Sequence, residues 1–353
     1  MHTPHPQTVS EGDLKLVVFP GFGYRARRGW CIRVFGCVHD YGAEISMPNR
    51  LLLRMLAKAM GAREGDVNTD CFRQRVAPFV AKPARGQRVI VHVGDRRYRL
   101  RRRSRRSGYF RGRILLEAAD VSRLIDAGAW SESQLQIAIS LESADAPPVS
   151  SSVAVLPSRG LSIVSDIDDT IKVTEISSRR ALLANTFLRE FRDVEGMAER
   201  YRNWADQGAN FHYVSSSPWQ LYEPLADFAL QKQFPPGTIN LRVFRFRDEF
   251  VRRRSKTRKR KSRAIRQLLK AYPFRKFVLI GDSGERDPEI YAELARKHPE
   301  QVTAILIREL SEHPLKARRR QQLLSEYPWT QIFQSADELP TNIERWESVS
   351  GRP

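Results

Sequence analysis

The stretch Leu161-Ser162-Ile163-Val164-Ser165-Asp166-Ile167-Asp168-Asp169-Thr170 decides the fold. A short apolar run, the length of one strand, delivers two aspartates, two residues apart, to its C-terminal end, with Thr170 just beyond. Carboxylates so placed repel, and each raises the other's pKa. A divalent cation relieves that repulsion, and one carboxylate can then attack a phosphoryl group. The competing reading is a strand that runs into an acidic, solvated turn.

Downstream, short apolar strands alternate with helical patterns. Strands are predicted at 161–165, 211–214, 241–246, 277–280 and 302–307, and helices at 179–207, 219–233, 262–272 and 288–297. The third helix carries Ala264, Ile265, Leu268, Leu269 and Tyr272 as one stripe. This alternation predicts an α/β domain over 158–346, with a parallel sheet covered on both faces. Upstream the pattern differs. Strands at 14–19, 31–36, 89–93, 110–116 and 135–141, with a hairpin turning at Gly94-Asp95 into 98–101, predict a β-rich, sandwich-like or open-barrel domain over 13–157. One helix, 49–60, interrupts it, and 153–156 reads as its last strand. Residues 1–12 read as a disordered lead-in and 347–353 as a frayed tail.

Ligands of open parallel sheets bind beyond the carboxyl ends of the strands. There the chain places Asp166-Ile167-Asp168-Asp169-Thr170, then Ser215-Ser216-Ser217-Pro218, then Gly281-Asp282-Ser283-Gly284-Glu285-Arg286-Asp287. Any one of these is ordinary turn chemistry. Three together, with a lysine-rich segment before the fourth strand, are hard to assign to turns alone. No GxxxxGK[ST] loop is present, so no nucleotide cofactor is expected, and there is no GxSxG elbow. His212, within an apolar strand, reads as structural.

The strings Ser165-Asp166-Ile167-Asp168-Asp169-Thr170-Ile171-Lys172, Tyr213-Val214-Ser215-Ser216-Ser217-Pro218-Trp219-Gln220-Leu221-Tyr222 and Ile280-Gly281-Asp282-Ser283-Gly284-Glu285-Arg286-Asp287-Pro288-Glu289-Ile290-Tyr291 carry a family resemblance. The set is similar to the haloacid dehalogenase (HAD) superfamily of phosphotransferases. More narrowly, it resembles the actin-patch type of phosphatidate phosphatase, whose catalytic domain is distantly similar to the lipins. The β-rich part is similar, more diffusely, to the N-terminal part of bacterial members. The resemblance implies a HAD-like Rossmannoid sheet and a Mg²⁺-dependent hydrolysis of phosphatidate through an aspartyl-phosphate.

It also implies roles. Asp166 is the nucleophile, and Asp168 the acid and base that serves the leaving alcohol and then the hydrolytic water, which calls for a pKa above that of the nucleophile. Thr170 bonds the turn and orients the pair. Asp166, the backbone carbonyl of Asp168, and Asp282 hold Mg²⁺, with Asp287 as a further acidic partner. Ser215 donates to a phosphoryl oxygen, with Ser216 the neighbouring alternative. A lysine neutralises the phosphoryl group and Asp166. Lys256, Lys259 and Lys261 all lie in the right segment; Lys261, just before the 262–272 helix, is favoured.

About forty residues separate the first acidic motif from Ser215, and about forty-five separate Ser215 from Lys261. Little room remains for a lid domain, so an open site suited to a bulky substrate is expected.

Composition bears on partners. The chain has 60 Lys+Arg against 40 Asp+Glu, a formal charge of +20. Ten arginines and no acid lie between Arg96 and Arg113, and nine of the twelve residues from Arg252 to Arg263 are basic. Such fields favour polyanions: an anionic phospholipid surface or nucleic acid. Three cysteines without CxxC spacing fit a reducing compartment, the N-terminus has no signal-peptide pattern, and no apolar run reaches the length of a bilayer span. A cytoplasmic protein, peripheral at the inner membrane face, is the expectation. The alternatives are a HAD-type nucleic-acid end phosphatase and a non-catalytic basic membrane-binding module. Oligomeric state is not legible.

Overall fold

The computed structural model of the 353-residue chain describes residues 9–11, 14–42, 47–63, 65–144, 146–175, 178–243, 255–327 and 329–347. Most of the expected lead-in and tail thus lies outside the described residues, as do 244–246 of the third predicted strand and the basic residues 252–254.

The first part is a single nine-stranded sheet. Its strands are β1 (Val9–Glu11), β2 (Leu14–Ala26), β3 (Gly29–Asp40), β4 (Lys82–Pro83), β5 (Val89–Val93), β6 (Arg96–Arg99), β7 (Tyr109–Leu116), β8 (Gln134–Leu141) and β9 (Val149–Val155). They run in the order β4-β3-β2-β9-β8-β5-β6, with β1 beside β2 and β7 beside β3. One face of these strands, including Ile32, Val91, Ile114, Leu135, Ile139 and Val153, closes around a common core. The β-rich expectation holds, but the strands form one curled sheet rather than the two packed sheets of a sandwich. The hairpin turns at Gly94-Asp95 between β5 and β6, and Gly94 takes a φ of +57°, which glycine adopts without strain.

The second part is a six-stranded sheet, parallel throughout: β10 (Leu161–Ser165), β11 (Asn210–Pro218), β12 (Gly237–Arg242), β13 (Lys276–Asp282), β14 (Val302–Arg308) and β15 (Thr330–Phe333). The order is β12-β11-β10-β13-β14-β15. The chain starts in the middle, winds outward to β12, returns to the middle at β13 and winds outward the other way. The reversal falls between β10 and β13, where open sheets of this kind leave a crevice at the carboxyl edge. Both faces are covered. Leu161 and Ile163 pack with Met197, Tyr201 and Trp204 on one side; Val164 packs with Leu268, Leu269 and Tyr291 on the other.

Three boundaries differ from expectation for identifiable reasons. The predicted 179–207 helix is two, Arg179–Phe187 and Met197–Asp206. Between them the backbone is committed elsewhere: Val173 N donates to Arg192 O at 2.8 Å and Val194 N to Ile171 O at 2.9 Å. The third strand lies earlier, at Gly237–Arg242. The basic helix starts earlier, at Ser255, so Lys261 lies inside the helix Ser255–Ala271 rather than before it.

A second helix, Asp70–Val80, goes unpredicted. Thr69 caps it by accepting from Phe72 N at 3.3 Å. This helix and Met47–Met60 leave the curled sheet and pack on the parallel-sheet half, placing Met60, Phe72, Val76 and Phe79 in the same core as Phe187 and Trp204. On the other side, Tyr272 donates to Gly23 O at 2.7 Å, and Lys15 pairs with Glu223 at 2.8 Å.

Arg275 fastens the connection between the two sheets. It is 2% exposed and donates to Pro157 O at 3.0 Å, to Arg159 O, Leu161 O and Asn210 Oδ1 at 2.6 Å each, and to Ser162 Oγ at 3.0 Å. Arg275→Met leaves buried acceptors without donors, so a loss of about 2–4 kcal/mol in denaturant unfolding is expected. A loss below about 0.5 kcal/mol, the size of an ordinary surface change, would show that the clasp carries no stability.

Candidate active site

The carboxyl ends of β10 and β13 bring the acidic groups together. Asp166 is 1% exposed, and its N–H donates to Ile280 O at 2.9 Å, which ties it to the neighbouring strand. Asp282 ends β13 in a turn: its Oδ1 accepts from Gly284 N at 2.6 Å and Glu285 N at 2.9 Å. Asp287 opens the next helix, and its Oδ2 accepts from Tyr291 at 3.2 Å. Gly281 permits this approach, because a Cβ there would lie 2.1 Å from Asp287 Oδ2. One oxygen each of Asp166, Asp282 and Asp287 falls within 4.8 Å of the others.

Lys261 is the cation of this cluster. Its Nζ lies 2.9 Å from Asp166 Oδ1, 2.5 Å from Asp287 Oδ1 and 3.6 Å from Glu285 Oε2. Of the three candidate lysines it is the one brought to Asp166; Lys259 is exposed, and the side chain of Lys256 lies outside the described residues. Four carboxylates therefore surround one ammonium. Burial pushes Asp166 well up, and Asp287, Glu285 and Asp282 together reinforce this against the pull of Lys261. Asp282 is raised by burial and by the same neighbours. Lys261 is driven well above its usual range by Asp166 and Asp287 despite its burial. Asp166 Oδ2 and Asp282 Oδ2 are buried with no hydrogen-bond partner among the described residues. Surplus negative charge, unpartnered carboxylate oxygens and one oxygen of each aspartate within 4.8 Å of the others fit a hard divalent cation with oxygen ligands.

Asp168 belongs to a different network. Its Oδ1 lies 3.0 Å from Lys172 Nζ and accepts from Thr174 at 3.0 Å; its Oδ2 accepts from Ser215 at 2.9 Å and Ser217 at 2.6 Å. Burial alone would raise this carboxyl, but Lys172 beside it, with hydrogen bonds from Ser217 and Ser215, holds it down at about 2. With no cation bound, the pKa of Asp166 therefore lies above that of Asp168, the reverse of the order expected. The cause is placement: Asp166 sits among acids, Asp168 among donors. The Asp168 carboxylate is also absent from the three-oxygen cluster, which leaves only its carbonyl in the expected metal set.

The serines separate by strand alternation. Ser215 and Ser217, two apart on β11, point to the same side and both reach Asp168; Ser216 points to the other and donates to Glu285 Oε2 at 3.0 Å. Ser217→Ala removes a charge-assisted hydrogen bond, so phosphate release should fall about tenfold with unfolding unchanged. Unaltered turnover in that variant would show that Asp168 does not depend on it.

Thr170 bonds to the turn, as expected, through its backbone. Its hydroxyl has no hydrogen-bond partner among the described residues, and only its N–H joins the turn, to Ile167 O at 3.3 Å. Thr174 touches both Asp168 and Lys172. Asp169, at a φ of +53°, is the turn residue; its Oδ1 accepts from Thr174 N at 2.6 Å and Glu175 N at 2.9 Å. Arg308, at the end of β14, donates to Asp169 O at 2.7 Å. Lys172, Thr174, Ser217 and Glu285 are thus site residues that the motif reading missed. Two had a local signal: Lys172 stands four residues after Asp168, and Ser217 two after Ser215. His212 is structural, as expected, paired with Thr238 at 2.8 Å and lowered by burial to about 3.

Residues 161–309 match the family model described as the catalytic domain of phosphatidate phosphatase APP1. Over that stretch the chain is similar to the APP1 catalytic domain. Two curated relatives agree. An uncharacterized protein of Schizosaccharomyces pombe is 38% identical over 164 residues, 45% of this chain and 27% of that protein. Phosphatidate phosphatase APP1 of Saccharomyces cerevisiae is 37% identical over 153 residues, 42% of this chain and 26% of that protein. The matched region thus spans about a quarter of the length of these relatives. The matched stretch runs from the start of β10 to just past Arg308, so it takes in the whole acidic cluster, Lys261 and the Asp168 network.

Proposed function

We propose that the chain is a Mg²⁺-dependent phosphatidate phosphatase of the HAD type, converting phosphatidate to diacylglycerol and phosphate. The observation that carries this reading is the buried ring of Asp166, Asp282 and Asp287 around Lys261, within a domain of the APP1 family. Asp166 attacks phosphorus through Oδ2, the oxygen that Lys261 does not hold, and forms an aspartyl-phosphate as the lipid oxygen leaves. Lys261 fixes the other oxygen and balances charge on the phosphoryl group. Asp166, Asp282 and Asp287 would hold Mg²⁺, which when bound supplies positive charge to the phosphoryl oxygens. Asp168, ionised within its network, takes a proton from the water that cleaves the aspartyl-phosphate. The acid half of the cycle needs a protonated Asp168, so its contact with Lys172 must loosen when the ester enters. Ser215 and Ser217 orient Asp168, and Ser215 can turn to a phosphoryl oxygen. The protein acts from the cytoplasm at an anionic membrane surface. No helix among the described residues is long and apolar enough to cross a membrane.

The test is phosphate release from phosphatidate in mixed micelles, compared with end-phosphorylated oligonucleotides, with Mg²⁺ or with a chelator. Mg²⁺-dependent release from phosphatidate is expected. Release from the oligonucleotides alone would replace the lipid assignment with a nucleic-acid end phosphatase. Release from neither would leave a binding module.

A further inference from the structure

The helix Met47–Met60 is covered on one side only. Leu53, Leu56 and Met60 pack on the core of the parallel-sheet half. A helix turns about 100° per residue, so Leu51, Met55 and Lys58 lie on the opposite side. Leu51 is 60% exposed and Met55 is 50% exposed. A single exposed apolar side chain carries no meaning, but these two stand one turn apart and share their face with cations. The helix holds Arg50, Arg54 and Lys58 and no acidic residue. Like charges four residues apart weaken a helix, so an anionic partner would relieve it. Arg54 and Lys58 are exposed and have no acidic partner among the described residues.

This helix is tied to the active-site loop. Arg180, on the helix Arg179–Phe187, donates through Nε to Met60 O at 3.2 Å. Gly61 makes room for that contact, because a Cβ there would lie 2.4 Å from the Arg180 guanidinium. Further along the same helix, Asn185 donates to Thr174 O at 3.1 Å, and Thr174 in turn donates to Asp168 at 3.0 Å. Aliphatic side chains flanked by cations, with no acid on the helix, match the interface of an anionic bilayer: the apolar groups enter the acyl boundary and the cations stay among the phosphates. The crest of the face holds no aromatic ring on which a nucleic-acid base could stack. A second copy seated face to face would bring the same cations together.

We propose that the outer face of the helix Met47–Met60 docks on an anionic phospholipid bilayer, with Leu51 and Met55 inserted and Arg54 and Lys58 on the headgroups. The inference deepens the phosphatase reading and rests on it for the hydrolysis that docking serves. The helix lies outside the stretch that the family model matches. It would hold the loop around Asp168 close to the surface that carries the substrate.

The test uses the full chain and two forms of phosphatidate: the monomeric dihexanoyl ester, and the long-chain ester in phosphatidylglycerol vesicles. Leu51→Gln/Met55→Gln and Arg54→Gln/Lys58→Gln should each lower vesicle binding, and phosphate release from vesicles, about tenfold. Neither pair should alter release from the dihexanoyl ester. Ile125→Gln, at a 52% exposed position on another helix, should change nothing. Vesicle binding and hydrolysis unchanged in both pairs would overturn the proposal. So would a loss confined to the Arg54 and Lys58 pair, which would mean adsorption by charge alone, as to a nucleic-acid backbone. A dimer in sedimentation that the Leu51 and Met55 pair dissolves would assign the face to a second copy and overturn it too. If the natural chain releases phosphate from neither ester while both pairs still lose vesicle binding, the docking helix stands and the phosphatase reading falls.

Discussion

Asp166→Asn is expected to abolish phosphate release, by roughly three orders of magnitude or more, while the protein stays folded. The amide keeps the shape of the carboxylate but cannot attack phosphorus. It also removes one negative charge from a cluster in which Asp166, Asp282, Glu285 and Asp287 share the single ammonium of Lys261. Without added divalent cation the variant should therefore unfold at the same temperature as the natural chain or at a higher one. Turnover above a tenth of the natural rate would show that another group is the nucleophile. A lowered unfolding temperature would show that the cluster is not overcharged.

Lys261→Met should produce the opposite stability signature. The lysine side chain is 2% exposed and lies against two aspartates that are themselves 1% and 0% exposed. Removing one partner of a buried ionic set leaves uncompensated charge, at a cost of about 3–5 kcal/mol. Activity should be lost with it. Millimolar Mg²⁺ should restore part of the stability and none of the activity, because a cation can balance the carboxylates without replacing the ammonium at its own place. Lys259→Met, at an exposed position, should change neither measurement. Unfolding of the Lys261 variant within about 0.5 kcal/mol of the natural chain would remove Lys261 from the electrostatic centre of the site.

What could be read in advance divides along physical lines. The apolar strands of the parallel sheet were legible because burial on both faces leaves unbroken runs such as 161–165 and 277–280. Their carboxyl-end residues were legible because acids clustered at one edge have few structural uses. Lys261 is favoured in sequence by its place before the helical stripe, but three lysines within six positions differ mainly in which way the helix turns them, and only the fold brings Lys261 to Asp166. The reversal of Asp166 and Asp168 acidity was not legible, because it depends on which donors the loop 169–175 brings around. That loop is shaped by pairing with residues 192–194, far away in the chain. The helix Asp70–Val80 was missed because its apolar face, Phe72, Val76 and Phe79, is interrupted by charged residues and Pro78. The curled form of the first sheet was missed because alternation shows which face is buried and not whether the sheet closes on itself.

The packing of Met47–Met60 and Asp70–Val80 on the parallel-sheet half separates two units that are easily equated. The stretch that matches the family model begins at residue 161, yet the body that folds includes helices from much earlier in the chain. Arg75 shows this most directly: it reaches across to Thr186 O at 3.0 Å and lies 3.8 Å from the centre of the Phe191 ring, which is also approached at 4.8 Å by Lys172, the ion-pair partner of Asp168. A chain cut at residue 158 would keep every motif of the active site and lose the wall behind it. In this protein the stretch that the family model matches is smaller than the body that folds, and the acidic cluster leans on the larger one.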